Sequence, residues 1–356
     1  MSYRGPCSVK KTGIIFGFFL TFIISLSSLQ AEEKVIPDNP QPFQAWLQDL
    51  KSEAIAKGIS ADTLDAAFAG VAPIPKIIEL DRRQPEFTQT YDQYISRRVS
   101  ETRIAMGRKK IQEYSEVLSP VADRMGVQDR FIAAIWGMET NYGGYTGGYS
   151  VIAALTTLAY DMRRPEFFRK ELLRALTILD QGHISPQDMK GSWAGAMGQG
   201  QFMPSSFFAY AYDFDGDGHK DIWLNEADVF ASIANYLKKH GWDESQTWGR
   251  EVKLPEDIDG LWEKVKQTGK IKSCRRALKD HSKQLSLEEW KALGVKTKFG
   301  GELPDVGERP FKASLVMPAG RDGPAYLTYE NFRSILRYNC SNFYALGVSL
   351  LSDELK

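Results

Sequence analysis

What this sequence has little of removes several classes of function. It has no excess of either charge, since 45 Lys and Arg balance 45 Asp and Glu. There is thus no basic field for nucleic acid and no acidic run of the kind that keeps a chain disordered. Its histidines, His183, His219, His240 and His281, are scattered and give no HExxH or other zinc spacing. Neither Ser192 nor Ser205 lies in a Gly-x-Ser-x-Gly context, which argues against a serine hydrolase. No internal repeat or low-complexity tract is present. Only three cysteines occur, Cys7, Cys274 and Cys340.

The first 31 residues read as a secretory signal peptide rather than as part of the fold. Arg4, Lys10 and Lys11 form the positive region, and the apolar run from Ile14 to Leu26 follows. Ala31 closes a cleavage site, with Leu29 at the −3 position larger than preferred. An uncleaved membrane anchor is the alternative. Cys7 precedes the apolar run, which is the wrong place for a lipoprotein cysteine. No later segment is apolar and long enough to span a bilayer, so the expected product is a soluble periplasmic protein. Export would bring Cys274 and Cys340 into an oxidising compartment. Whether their geometry permits a bond is left open by the sequence.

With 356 residues the chain is long for one compact domain and suits two or three packed subdomains. A helical pattern runs from Phe43 to about Phe68, with Trp46, Leu50, Ala54 and Ile55 on one side. Pro73 and Pro75 punctuate it. Long helices are expected from Tyr91 to about Val121, and a mainly helical stretch from Gly126 to Gly241 carries the strong motifs. From about Trp248 to Met317, short apolar runs such as Glu251–Leu254 and Ala313–Met317 suggest a few strands, and Ser286 opens a short helix with a capping pattern. The tail from Tyr329 to Leu355 returns to helix.

Glu139 closes the apolar stretch Phe131–Met138, just before a Gly-rich turn. On a helix, Ile132, Ile135, Trp136 and Glu139 share one face. A carboxyl on such a stripe is costly to ionise, so its pKa should rise, and a carboxylic acid still protonated near neutrality is what cleavage of a glycosidic bond requires. The plain alternative is a carboxylate that caps or salt-bridges the helix end. A second segment, Lys190–Ser206, has glycines at 191, 195, 198 and 200, a density that lets a ligand or another backbone come close. Its Ser192, Gln199, Gln201 and Ser205 offer neutral hydrogen-bonding groups, and Trp193 and Phe202 offer flat faces, a mixture suited to sugars. It is not a phosphate loop, because no Lys stands in the required place. The alternative is a tight junction of small residues between helices. Third, Asp213, Asp215 and Asp217, with Gly218 at position 6 and a carbonyl position at His219, match an EF-hand calcium loop. Position 12 is Leu224 instead of Glu, so Glu226 or Asp228 would have to close the site. Asp228 could equally be a helix cap. Asp161, Glu166, Asp180 and Asp188 are the candidates for a second catalytic acid, and none has the apolar context of Glu139.

Together, Trp136-Gly-Met-Glu-Thr-Asn-Tyr-Gly143, the Gly191–Ser206 segment, the Asp213 loop and the tail Asn331–Ala345 resemble the membrane-bound lytic transglycosylase B family of bacterial murein enzymes, in the same order along the chain. The resemblance implies a mainly α (α+β) fold: a lysozyme-like helical core flanked by an α subdomain and a small antiparallel β subdomain. The expected divisions are 32–120, joined by the C-terminal helix 329–356, then 121–247 for the core with its EF-hand-like loop, and 248–328 for the β-containing part. It implies cleavage of the β-1,4 bond from N-acetylmuramic acid to N-acetylglucosamine, leaving 1,6-anhydro ends. Glu139 matches the family's catalytic glutamate. Ser192 and Gln201 match residues that face the sugar beside it. Tyr236, Tyr338, Asn339 and Tyr344 match groove-lining positions, with Tyr94 another, and Phe167 stands where some members have Tyr. Asp213, Asp215, Asp217, the carbonyl of His219 and Asp228 match a structural Ca²⁺ site, with no cofactor needed for the chemistry. The expected partner is the peptidoglycan glycan strand, bound by a monomer, with no nucleic acid. Three other readings stay open: a hydrolytic muramidase, a murein-binding protein with a dead site, and a calcium-sensing module.

Overall fold

The computed structural model describes residues 39–83, 89–305 and 312–356. The signal segment read in residues 1–31 lies outside them. Among the described residues, no helix is long and apolar enough to cross a membrane.

Three short helices come first: α1 (Phe43–Ala56), α2 (Ala61–Phe68) and α3 (Pro75–Arg83). The single helical stretch expected from Phe43 to Phe68 is therefore two helices. Gly58 turns at φ +93, and Ser60 caps α2 by accepting the Thr63 N–H, so the chain stops and restarts. Ile55, expected beside Trp46, Leu50 and Ala54, is 56% exposed while those three are buried, because at about 100° per residue it falls on the opposite side of the helix from Trp46.

Next come α4 (Tyr91–Arg98), α5 (Glu101–Glu113), α6 (Ser115–Met125) and α7 (Asp129–Thr140). Thr90 and Gln93 form a capping box at the start of α4. Gly126 ends α6 in the left-handed conformation. The central segment continues with β1 (Tyr149–Ser150), α8 (Val151–Tyr160), α9 (Pro165–Asp180), β2 (Lys190–Gly191), α10 (Pro204–Tyr210) and α11 (Glu226–Lys239). Strands β1 and β2 pair antiparallel, Tyr149 opposite Gly191.

The last third holds β3 (Gly249–Lys253), α12 (Ile258–Val265), α13 (Arg275–Leu278), β4 (Leu285–Ser286), α14 (Leu287–Ala292), β5 (Lys296–Thr297), β6 (Lys312–Val316), β7 (Ala325–Thr328), α15 (Glu330–Tyr338) and α16 (Asn342–Glu354). The strands form an antiparallel sheet in the order β4-β6-β7-β3-β5. The capping box at Ser286 is present, with Glu289 as its partner. The fold is mainly helical, with small antiparallel sheets, and is lysozyme-like.

Three apolar clusters organise these elements. The first joins α7 to α11, α15 and α16, with Leu118, Val121 and Met125 of α6 at its side. The second packs α8 and α9 against α1, α2, Ile77 of α3 and the Gly-rich segment. The third lies between the sheet and helices α12 and α14. Residues 43–83 and 91–125 thus contribute to different clusters. A disulfide links Cys274 to Cys340, 66 residues apart. Closing a loop of that length removes chain entropy from the unfolded state worth about 4 kcal/mol.

Candidate active site

Helix α7 has no outward face: every residue from Phe131 to Met138 is buried. It ends at Thr140 because Asn141 turns left-handed at φ +53, a conformation that Asn tolerates. The last full turn therefore points Glu139 out of the core into a cavity of about 860 Å³. Met138 and Glu139 form one part of its wall, and Tyr94 and Arg98 of α4 another. Arg276, Ala277 and Asp280 come from α13 and just beyond. Asn339, Cys340 and Ser341 form the turn before α16, whose first residues, Asn342, Phe343 and Tyr344, complete that side.

Two polar ties aim this side. The Tyr344 hydroxyl donates to Glu139 Oε1 at 2.6 Å. The Tyr338 ring stacks on Tyr344, 6.5 Å between centroids and 13° between planes, while its hydroxyl donates to the Gly200 carbonyl at 2.6 Å. Desolvation pushes the Glu139 carboxyl up to about 7, against the lowering effect of the Tyr344 hydrogen bond and of the Arg98 charge. Burial and the neighbouring Glu139 raise the Tyr344 and Tyr338 hydroxyls well above the usual phenol range. Both therefore stay protonated and serve as donors.

Glu139, Tyr94, Asn339 and Tyr344 are thus brought to one cavity, with Tyr338 behind Tyr344. The other positions named from the sequence do not line it. Tyr236 is 8% exposed, its ring against Tyr210, Tyr338 and His240 and its hydroxyl on the Arg337 carbonyl at 2.5 Å. Phe167 is 48% exposed and packs edge-on against Phe168. Ser192 Oγ accepts the Ala194 and Ala196 N–H groups, which leaves its own hydroxyl hydrogen to donate. Gln201, held at φ +51, donates its Nε2 to the carbonyls of Thr146 and Gly198, which leaves its Oε1 to accept.

The glycines serve close backbone approach. A Cβ on Gly147, at φ +113, would lie 2.1 Å from the Gly191 carbonyl. Gln199 is the strut of this region. Its Oε1 accepts the Trp136 Nε1–H at 2.7 Å and its Nε2 donates to the Trp223 carbonyl at 2.9 Å. Its own carbonyl accepts the Thr140 hydroxyl, so the end of α7, the Gly-rich segment and the residues after the Asp loop are one hydrogen-bonded unit.

Of the four acids named as second candidates, Asp161 is buried and bonded to Arg82, Asp180 accepts from Ser60 and Thr63, Asp188 pairs with Ser185 and Glu166 sits in the first turn of α9. None lines the cavity. Among the described residues the other carboxylate that does is Asp280, which the sequence reading missed along with Arg98 and Arg276. Asp280 follows a four-residue helix, too short to show a periodic signal.

In the Asp loop the carboxylate oxygens of Asp213, Asp215 and Asp217 lie within 4.8 Å of one another, a donor set that fits a hard cation. Backbone amides of Gly216 and Gly218 donate to Asp213, and the His219 N–H donates to Asp217. Asp228, expected to close the loop, is not in that trio. It is the third residue of α11, fully buried, and its two oxygens accept the Phe214 and Asp221 N–H groups. Burial raises its carboxyl to about 6. The N-cap of α11 is Asn225.

Residues 42–353 match the family model described as the transglycosylase SLT domain. The chain is 32% identical over 244 residues to the membrane-bound lytic murein transglycosylase B of Escherichia coli K12. That match covers 68% of this chain and 61% of the relative's length. It is similar to the crystal structure of SltB3 from Pseudomonas aeruginosa in complex with NAG-anhNAM-pentapeptide, with a TM-score of 0.81 and 44% identity over 88% of this chain and 80% of that one. It is also similar to the Escherichia coli lytic transglycosylase Slt35 in complex with calcium, with a TM-score of 0.71 and 26% identity over 91% and 97% of the two chains.

Proposed function

The chain belongs to the transglycosylase SLT domain family, and on that premise we propose that it is a periplasmic lytic transglycosylase. It cuts the β-1,4 bond from N-acetylmuramic acid to N-acetylglucosamine and leaves a 1,6-anhydromuramyl end. The observation that carries this reading is Glu139: a carboxyl held to about pH 7 in a cavity wall, fixed through Oε1 by Tyr344. The ligand named for SltB3, which contains an anhydro-muramyl unit, supports the same product.

Glu139 Oε2, which has no partner among the described contacts, gives its proton to the glycosidic oxygen as the C1–O4 bond breaks. The substrate's own 2-acetamido oxygen stabilises C1. The ionised Glu139 then takes the proton of the muramyl C6 hydroxyl, whose oxygen attacks C1 and closes the anhydro ring. This attack is intramolecular and gains from proximity, so no water need be held. Tyr344 keeps the carboxyl oriented through both proton transfers. The free hydroxyl hydrogen of Ser192 and the free Oε1 of Gln201 orient the acetamido group. Asp213, Asp215 and Asp217, with the His219 carbonyl, hold Ca²⁺ as a structural ion. The ion supplies loop rigidity and takes no part in bond cleavage.

One observation favours a hydrolytic muramidase instead: Asp280 shares the cavity with Glu139, and a second carboxylate could activate water. Mass spectrometry of digested murein decides between the two. Anhydro ends that persist in Asp280→Asn and vanish in Glu139→Gln support the transglycosylase. Reducing ends that depend on Asp280 overturn it.

A further inference from the structure

The Cys274–Cys340 bond joins two stretches that both belong to the cavity wall. Cys340 lines the cavity itself, between Asn339 and Ser341, while Cys274 immediately precedes α13, which supplies Arg276 and Ala277. Helix α13 is a single turn of four residues, too short to persist on its own hydrogen bonds. Its apolar anchorage is limited to Ala277 and Leu278. Asn342, the first residue of α16, ties this wall to that helix: it donates to the Ala277 carbonyl at 2.9 Å and meets His281 Nε2 at 2.9 Å.

From Cys340 the path to the acid is short. Ser341 caps α16 by accepting the Tyr344 N–H, and the Tyr344 hydroxyl reaches Glu139. We propose that this disulfide is a positioning element for the reaction: it clamps the α13 wall to the turn that carries Tyr344, and so sets the width of the saccharide cleft and the aim of the acid. The inference rests on the reading of this cavity as the glycan site. It assigns the bond a local, catalytic consequence beyond its contribution to stability.

The test uses the full chain in three forms: oxidised wild type, wild type reduced with dithiothreitol, and Cys274→Ser/Cys340→Ser. Dithiothreitol transfers two hydrogens to the two sulfurs and closes to its own cyclic disulfide. Near-ultraviolet circular dichroism checks the fold at the assay temperature. Turnover of purified murein gives kcat and KM, and binding of the Glu139→Gln counterparts to insoluble murein gives affinity without chemistry. With the fold intact, loss of the bond should lower kcat/KM on the order of tenfold, as misplaced catalytic walls do. Reoxidation should restore the wild type and leave the serine variant unchanged. Equal kcat/KM and binding in all three forms, with only the thermal midpoint lowered, overturns the proposal. Global unfolding on loss of the bond also overturns it, because the role assigned is local. If oxidised wild type leaves murein uncut, the functional reading fails first and takes the clamp with it.

Discussion

Glu139→Gln separates the charge of the acid from its shape. In the fold the Glu139 carboxyl is lifted from 4.5 to about 7, mainly by desolvation. Between those two values the folded chain keeps a proton that the unfolded chain has lost. Unfolding then releases a proton, so this group's contribution to stability is complete below about pH 4.5 and is lost as pH rises through about 7. One pH unit is worth about 1.4 kcal/mol, which sets an upper figure of about 3 kcal/mol lost by pH 8. Solvent in the cavity brings the working expectation to about 2 kcal/mol. Glutamine does not ionise, and its Oε1 can still accept the Tyr344 hydroxyl, so the variant should escape this loss. Urea unfolding of both proteins at pH 5, 6, 7 and 8 gives the difference directly. Other titrating groups such as Asp228 and His281 are common to the two proteins and cancel. The stability of the variant relative to the wild type should rise by about 2 kcal/mol between pH 5 and pH 8, while murein turnover falls on the order of a thousandfold. Parallel stability curves over that range would show that Glu139 is as well solvated as a surface carboxylate, and the argument for a proton held near neutrality would fail.

Tyr344→Phe removes the donor that holds the Glu139 pKa down, so the alkaline limb of the kcat/KM profile should move to higher pH, with the maximal rate lower on the order of tenfold; a pH–rate series checks it. Adding Ca²⁺ to chelator-treated protein should raise the thermal midpoint, by the equivalent of about 2.7 kcal/mol at a hundredfold excess over Kd. Asp213→Asn/Asp217→Asn should abolish that rise in the same calorimetric scan. Gly147→Ala puts a Cβ against the Gly191 carbonyl from a backbone at φ +113. It should cost about 2 kcal/mol or more in denaturant titration and reduce murein turnover by displacing Ser192.

The parts of the site that were legible in the sequence were those whose signal is local. An acid at the end of an unbroken apolar run, followed by Asn and glycines, reads directly as a helix end with a desolvated carboxyl, and α7 is such a helix. The Asp213 loop is a local spacing too, and the structure gathers its three carboxylates. The strands β3 and β6 and the Ser286 cap were visible for the same reason. Nothing local marks Arg98 or Asp280 as neighbours of Glu139, since only the packing of α4 and α13 around the end of α7 makes them so. Side chains with two plausible fates were equally ambiguous. Gln199 and Tyr236 have the chemistry of sugar contacts, but Gln199 is spent on Trp136 and Trp223, and Tyr236 on an aromatic cluster. The break between α1 and α2 was written in Gly58 and Ser60, yet an apolar period running through both helices masked it.

The contact from Tyr344 to Glu139 joins residues 205 positions apart. A chain with helices formed but not docked carries at position 139 an ordinary, wet carboxylate. Its grip on a proton arrives with long-range assembly. Titrating that single group thus doubles as a folding assay, because its raised proton affinity exists only once the distant helix has docked.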